Sequence, residues 1–224
     1  MNVGPMTLSP RIERQELWHF LGYPADREPP PRVVLLAAEM LAEARTLTAA
    51  RGAFVMLPIE RAAEVGLEPI EAEELVIGLV SAGGAIEERV RQLLEMGQMT
   101  RALLLDAAGS AAAEEAADLL GAQIVGEERG RAEAPSCRLS PGYGRWPLSA
   151  QTAIFALLPH AELGVRLLPS MLMVPRKSIS FALWLGATGP IGTGLSGCSR
   201  CNLERCRYRR TPPCAHHAYP GASP

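Results

Sequence analysis

Long apolar runs and an excess of charge of either sign are both absent from this sequence. No stretch approaches the ~20 apolar residues of a membrane span, and residues 1–10 lack the basic and apolar regions of a signal peptide. The formal net charge is only −2, whereas nucleic-acid binders usually carry a basic footprint. We therefore expect a cytoplasmic protein that binds neither membranes nor nucleic acid.

Signatures of common enzyme classes are also missing. The glycine-rich stretch Gly189–Gly197 lacks the Gly-Lys-[Ser/Thr] end of a phosphate loop, and the sequence contains no Gly-x-Ser-x-Gly elbow. The four histidines, two of them near the C-terminus, leave little for a hydrolase triad. A nucleotide hydrolase and a serine hydrolase are therefore both disfavoured.

The segments that are present mix helices and strands. With 224 residues and 48% hydrophobic composition, the chain can bury the core of one compact domain. Apolar residues at helical spacing predict helices at 11–21, 32–50, after Gly84, at 100–120 and at 151–158. Because strands and helices do not alternate regularly, we expect an α+β fold with an antiparallel sheet flanked by helices.

Four apolar segments are predicted strands. Residues 54–59, closed by Pro58, are expected to form an edge strand, and residues 75–80 a buried one. Residues 165–174 and 178–185 are separated by Pro175, Arg176 and Lys177, which could turn one strand into the other. This spacing predicts an antiparallel hairpin.

The segment Cys137–Gly144 has the composition of a ligand-binding loop. Pro141 fixes φ, and Gly142 and Gly144 allow close approach of backbone amides to a bound molecule. Arg138 offers a planar fork of donors that suits a carboxylate, and Tyr143 offers a ring face and a hydroxyl. The alternative is a surface turn with an ordinary exposed arginine.

The wider pattern resembles a known family. Arg-x-x-Pro-Gly-Tyr at 138–143 precedes a helix with Gln-x-x-Ile-Phe-x-Leu-Leu, and then Ser-Met-Leu-Met-Val-Pro-x-x-Ser-Ile-Ser at 170–180. In order and spacing these motifs resemble the activation (reactivation) domain of cobalamin-dependent methionine synthase. Residues 99–114 resemble the stand-alone branch of that family. The likeness implies an α+β fold of the same kind over residues 1–186.

The resemblance also implies S-adenosylmethionine as the ligand. Arg138 would hold the ligand carboxylate, and the loop of Ser140, Gly142, Tyr143 and Gly144 would follow the adenosyl portion. Glu114 is the implied acidic contact, although Glu115 is adjacent and a solvated helix-face carboxylate is the alternative. One arginine and one acid would orient a ligand that carries a carboxylate, an ammonium and a sulfonium.

Several parts of the full methionine synthase are missing from this sequence. It has no Asp-x-His-x-x-Gly cobalamin motif and no length for homocysteine or folate modules. The resemblance therefore implies a methyltransferase system for homocysteine methylation in which this chain is not catalytic alone. A methionine synthase module or another corrinoid protein would hold cobalamin, and a flavodoxin or ferredoxin would supply the electron.

The predicted second region, residues 187–224, is a glycine-rich linker with a cysteine-rich tail. Cys198, Cys201, Cys206 and Cys214 are soft ligands for one iron–sulfur cluster or one zinc ion. A cluster would suit reductive chemistry and makes an iron–sulfur redox activator an alternative function. A tail with incidental cysteines, and a domain with a purely interaction role, stay open as further alternatives.

Overall fold

A computed structural model describes residues 2–24, 27–127, 138–143 and 145–186. Its first half contains the elements that build most of the sheet and the helical layer. They are, in order, β1 (Asn2–Thr7), α1 (Arg14–Leu21), α2 (Pro31–Leu47), β2 (Arg51–Pro58), a 3-10 helix (Ile59–Val65), β3 (Glu74–Ser81), α3 (Ala85–Glu95) and α4 (Met99–Glu127). The second half adds a 3-10 helix (Leu148–Ala150), α5 (Gln151–Leu157), β4 (Arg166–Leu167), β5 (Met173–Val174) and β6 (Ser178–Leu185).

The α+β prediction is confirmed, with all strand pairs antiparallel. The main sheet has the order β1-β2-β3-β6, and β4 and β5 form a separate two-stranded ribbon. The predicted helices are present with slightly different ends. Gly22, at φ 74°, closes α1 in the left-handed conformation that glycine adopts without a Cβ penalty.

Two strand predictions were wrong. β2 is an interior strand, because β1 pairs with its outer side, and Pro58 occupies only its last position. The strands on either side of Pro175, Arg176 and Lys177 do not form a hairpin with each other. β6 instead pairs with β3 over its whole length, and β5 pairs with β4.

The sheet has a different partner on each face. On one face, α5, the two 3-10 helices and the loop around Trp146 cover side chains such as Val55, Ile77 and Trp184. On the other face, α4 covers side chains such as Phe54, Val76 and Phe181. Because both faces are covered, β2, β3 and β6 are almost continuously apolar rather than alternating.

Helix α4 connects the sheet to the outer helices. It contacts strands β2, β3 and β6 on one side and helices α1, α2 and α3 on the other. Its many buried alanines allow this close packing, and a Cβ at Gly109 would lie 2.9 Å from Ile86 Cγ2 of α3. Among the described residues, no helix is long and apolar enough to cross a membrane.

Candidate functional site

A polar stripe on α4 faces the β6 edge of the sheet. Its members are spaced four residues apart, which places them on one face of a helix. They are Asp106, Ser110, Glu114 and Asp118. Two buried cations pair with this stripe, Lys177 at one half and Arg138 at the other. The stripe therefore forms a charged seam inside an otherwise apolar layer.

Arg138 reaches the stripe because of how its neighbour pairs with β6. The Leu139 N–H donates to the Ala182 carbonyl at 3.0 Å, and the Ala182 N–H donates back at 2.7 Å. Leu139 and Ala182 then pack with the α5 side of the sheet. Successive residues of an extended chain point to opposite faces, so Arg138 is directed toward α4.

The Arg138 guanidinium is held between two carboxylates and an aromatic ring. Its Nη2 donates to Glu114 Oε2 at 2.5 Å and to Asp118 Oδ1 at 3.2 Å. Its Cζ lies 5.6 Å from the centroid of the Phe181 ring, within the range of a cation–π contact. Arg138 is 8% exposed, so the alternative of an exposed surface arginine is wrong.

The two acids are the accessible part of this cluster. The Glu114 and Asp118 side chains are 34% and 32% exposed, against 9% for the Arg138 side chain. Glu115, the adjacent alternative to Glu114, lies toward Arg11 and the acids Glu13 and Glu16. Burial, followed by the negative charge of Asp118, raises the pKa of the Glu115 carboxyl.

The turn after Arg138 is closed by backbone hydrogen bonds and anchored at its end. The Tyr143 N–H donates to the Ser140 carbonyl at 3.1 Å, and the Gly142 N–H donates to the Trp146 carbonyl at 2.9 Å. Trp146 is buried, and its Nε1 donates to the Val65 carbonyl at 2.7 Å. Gly142 has a φ of 93°, which only glycine adopts readily.

Tyr143 projects from this anchored turn and is 48% exposed. Leu148 lies beside the turn and is 47% exposed, with its Cδ1 3.6 Å from the position of a Cβ at Gly142. The turn thus presents an aromatic ring and an aliphatic side chain at the surface. Gly144 lies outside the described residues, and the ligand contacts of Ser140, Gly142 and Tyr143 stay predictions.

The other half of the stripe holds Lys177, which is 8% exposed. Its Nζ lies 2.9 Å from Asp106 Oδ1 and donates to Ser110 Oγ at 2.9 Å. Its backbone N–H donates to Glu87 Oε1 at 2.9 Å, which ties the start of β6 to α3. The cluster fixes β6 against both helices.

Sequence reasoning missed Asp118, Phe181 and the Lys177 cluster. The i, i+4 spacing of Glu114 and Asp118 was the available signal for Asp118. Phe181 could be placed under Arg138 only once β6 was known to pair with residue 139. Nothing local indicates that Lys177 faces Asp106.

The metal prediction concerns residues outside the described part of the chain, namely Cys198, Cys201, Cys206 and Cys214. Within the described ranges, no group of three or more histidine, cysteine, aspartate or glutamate residues is arranged to hold a metal ion.

An open cleft of about 870 Å³ lies where the starts of α2 and α4 meet, lined by residues that include Arg32, Leu36 and Met99. None of the predicted site residues that the structure describes lines this cleft.

Fold and site together define an α+β domain with a buried arginine clamped between a helix and the edge of an antiparallel sheet. Among solved structures, the domain is similar to the crystal structure of the MetH reactivation domain bound to AdoHcy, with a TM-score of 0.58. The likeness covers 85% of this chain and 81% of that chain at 14% sequence identity, so the two share a fold. No family model matches the chain, and no curated protein matches it in sequence.

Proposed function

We propose that this protein binds S-adenosylmethionine at Arg138 and Glu114 and supports the reductive remethylation of cobalamin held by a partner protein. The observation that carries the proposal is the buried Arg138–Glu114 pair beside a glycine-containing turn. Support comes from the shared fold with a domain whose structure contains AdoHcy, the demethylated form of that ligand.

The charges of the cluster fit this ligand. The planar guanidinium of Arg138 suits a carboxylate, and its orientation is fixed by the Phe181 ring. Glu114 provides negative charge for an ammonium or a sulfonium, and its side chain is partly exposed. The exposed ring of Tyr143 offers a face for the adenosyl portion.

In this proposal the chain's residues bind and orient, and none acts as a general base. When bound, S-adenosylmethionine supplies a methyl group on a sulfonium whose departing thioether is neutral. Arg138 fixes the amino-acid end, Glu114 lies near the positive charge, and Tyr143 shields the adenosyl end from water. The corrin and the electron donor belong to partners, a corrinoid protein such as methionine synthase and a flavodoxin or ferredoxin.

Isothermal titration calorimetry with S-adenosylmethionine tests the proposal. Replacing Arg138 by Ala should weaken binding by about 2–3 kcal/mol, or about 30- to 150-fold, the range for hydrogen bonds to a charged group. Arg138→Lys keeps the positive charge but loses the planar pair of donors. Its affinity for S-adenosylmethionine should lie between those of the parent protein and Arg138→Ala. Arg166→Ala, an exposed arginine on β4, is the matched control and should bind like the parent protein.

Thermal unfolding must accompany each titration, because Arg138→Ala leaves Glu114 and Asp118 facing each other without their cation. Equal affinity in parent protein and folded Arg138 variants would overturn the proposal. Iron and acid-labile sulfide assays on the anaerobically purified 224-residue chain test the cysteine tail separately.

A further inference from the structure

The Arg138 guanidinium already holds a carboxylate where a ligand carboxylate would bind. The same nitrogen, Nη2, contacts both Glu114 and Asp118, so two carboxylates share one side of the cation. Arg138 Nε is buried and has no hydrogen-bond partner among the described residues. An amino-acid ligand therefore meets an arginine that is occupied and nearly inaccessible from solvent.

Phe181 prevents Arg138 from turning outward to meet a ligand. The ring is fully buried and lies against the guanidinium on the side of the sheet. Since Leu139 is hydrogen-bonded to β6 in both directions, the backbone of residue 138 is also fixed. The partner that moves on ligand binding must then be one of the acids, both about one-third exposed.

Asp118 is the acid better placed to leave. Its Oδ1 lies 3.2 Å from Arg138 Nη2, against 2.5 Å for Glu114, so its hydrogen bond is the weaker of the two. Asp118 also lies near Glu115, and two like charges on adjacent turns repel. At 32% side-chain exposure, a released Asp118 carboxylate can be hydrated.

We infer that Asp118 is an internal stand-in for the ligand carboxylate, which occupies Arg138 in the ligand-free protein and is exchanged for that carboxylate on binding. The inference rests on the proposed function and adds a specificity-determining residue to the same site. Ligands without a carboxylate cannot make the exchange and leave Asp118 on Arg138.

Calorimetry on Asp118→Asn with two ligands tests the exchange. Asp118→Asn should bind S-adenosylmethionine about fivefold more tightly, the effect of removing a partly exposed ion pair worth about 1 kcal/mol. Decarboxylated S-adenosylmethionine should not bind more tightly. Glu115→Gln removes the same charge three residues earlier on α4, and it should not increase the affinity for either ligand.

The outcomes separate this inference from the proposed function. If Arg138→Ala loses affinity but Asp118→Asn binds S-adenosylmethionine no more tightly than the parent protein, the exchange is refuted and the binding site stands. If Asp118→Asn tightens both ligands equally, the exchange is also refuted, because carboxylate competition cannot act on the decarboxylated ligand. If Arg138→Ala and parent protein bind equally, the proposed function itself fails.

A measurement on the unmodified protein covers the case in which Asp118→Asn does not fold. The Arg138 Nε–H signal in a ¹H–¹⁵N spectrum reports the surroundings of the guanidinium. It should shift on saturation with S-adenosylmethionine and stay in place with the decarboxylated ligand. The same shift with both ligands would refute the exchange.

Discussion

Gly78 is the position in β3, the strand next to β6, at which a single added methyl group should disturb the candidate site. Gly78 lies in β3 opposite Phe54 of β2 and Phe181 of β6. A Cβ at residue 78 would lie 2.4 Å from Cζ of Phe181 and 2.8 Å from both ring Cε atoms. The same ring supports the Arg138 guanidinium, so Gly78→Ala acts on the site through one intermediate residue.

The size of the effect follows from that distance. Ordinary contacts begin at 3.4 Å, so the ring must move by about 1 Å in a core that is already filled. Overpacking of this kind costs about 2–3 kcal/mol of unfolding free energy. For a domain of this size, that is a fall in Tm of about 4–12 °C. Affinity for S-adenosylmethionine should fall as well, since the displaced ring no longer positions Arg138.

Differential scanning calorimetry and ligand titration check both effects. Gly52→Ala is the matched control, because its Cβ would meet single methyl groups of Leu8, Val80 and Leu120 at 3.0–3.1 Å and not the Phe181 ring. Gly52→Ala should lower the free energy of unfolding by less than Gly78→Ala does, and it should leave the ligand affinity unchanged. Phe181→Leu removes the ring that an added Cβ at residue 78 would meet. The double variant Gly78→Ala/Phe181→Leu should therefore be more stable than the sum of the two single losses predicts. Additive effects, or a Gly78→Ala protein as stable as its parent, would refute the steric reasoning.

Two further predictions concern the turn and the acids of α4. Trp146→Phe leaves the Val65 carbonyl without its buried donor and should cost about 1–2 kcal/mol in denaturant unfolding; an unchanged midpoint would contradict the anchoring role. Glu115→Gln should stabilise the protein at neutral pH, with a gain that disappears in acid. The folded pKa of Glu115 is raised, so the folded state binds more protons than the unfolded state and loses stability as pH rises from about 4 toward 7. Unfolding curves of both proteins at several pH values check this, and a gain that persists below pH 4 would contradict it.

Much of the helical layer could be predicted from local sequence patterns. The apolar stripes of α2 and α3 and the alanine-rich interior of α4 follow from side-chain periodicity within one element. Gly22 marked the end of α1, since a left-handed residue ends a helix wherever it packs. Such features depend on contacts between residues close in sequence, which a single sequence displays directly.

Strand pairing was harder because it depends on distant segments. The short connection at Pro175, Arg176 and Lys177 favoured a hairpin, yet β6 matches β3, which lies about a hundred residues earlier. Lys177 offers a reason that only the structure reveals: it is buried against Asp106 and Ser110, and its backbone binds Glu87. These contacts tie the start of β6 to α3 and α4, beside the last residue of β3. β1 was not predicted, since Gly4 and Pro5 interrupt any alternation.

The candidate site, too, could be predicted from the sequence only where it depends on residues close together in the chain. The motif at 138–143 identified Arg138 and Tyr143 as candidates, but it could not reveal that Arg138 is buried. That burial follows from the Leu139–Ala182 bridge, which turns the neighbouring side chain toward α4. A buried arginine must be paired in the ligand-free protein, because an isolated charge in a low-dielectric interior is costly. At least one of Glu114 and Asp118 is therefore needed beside Arg138 in the ligand-free protein, and any anionic ligand of Arg138 has to compete with them.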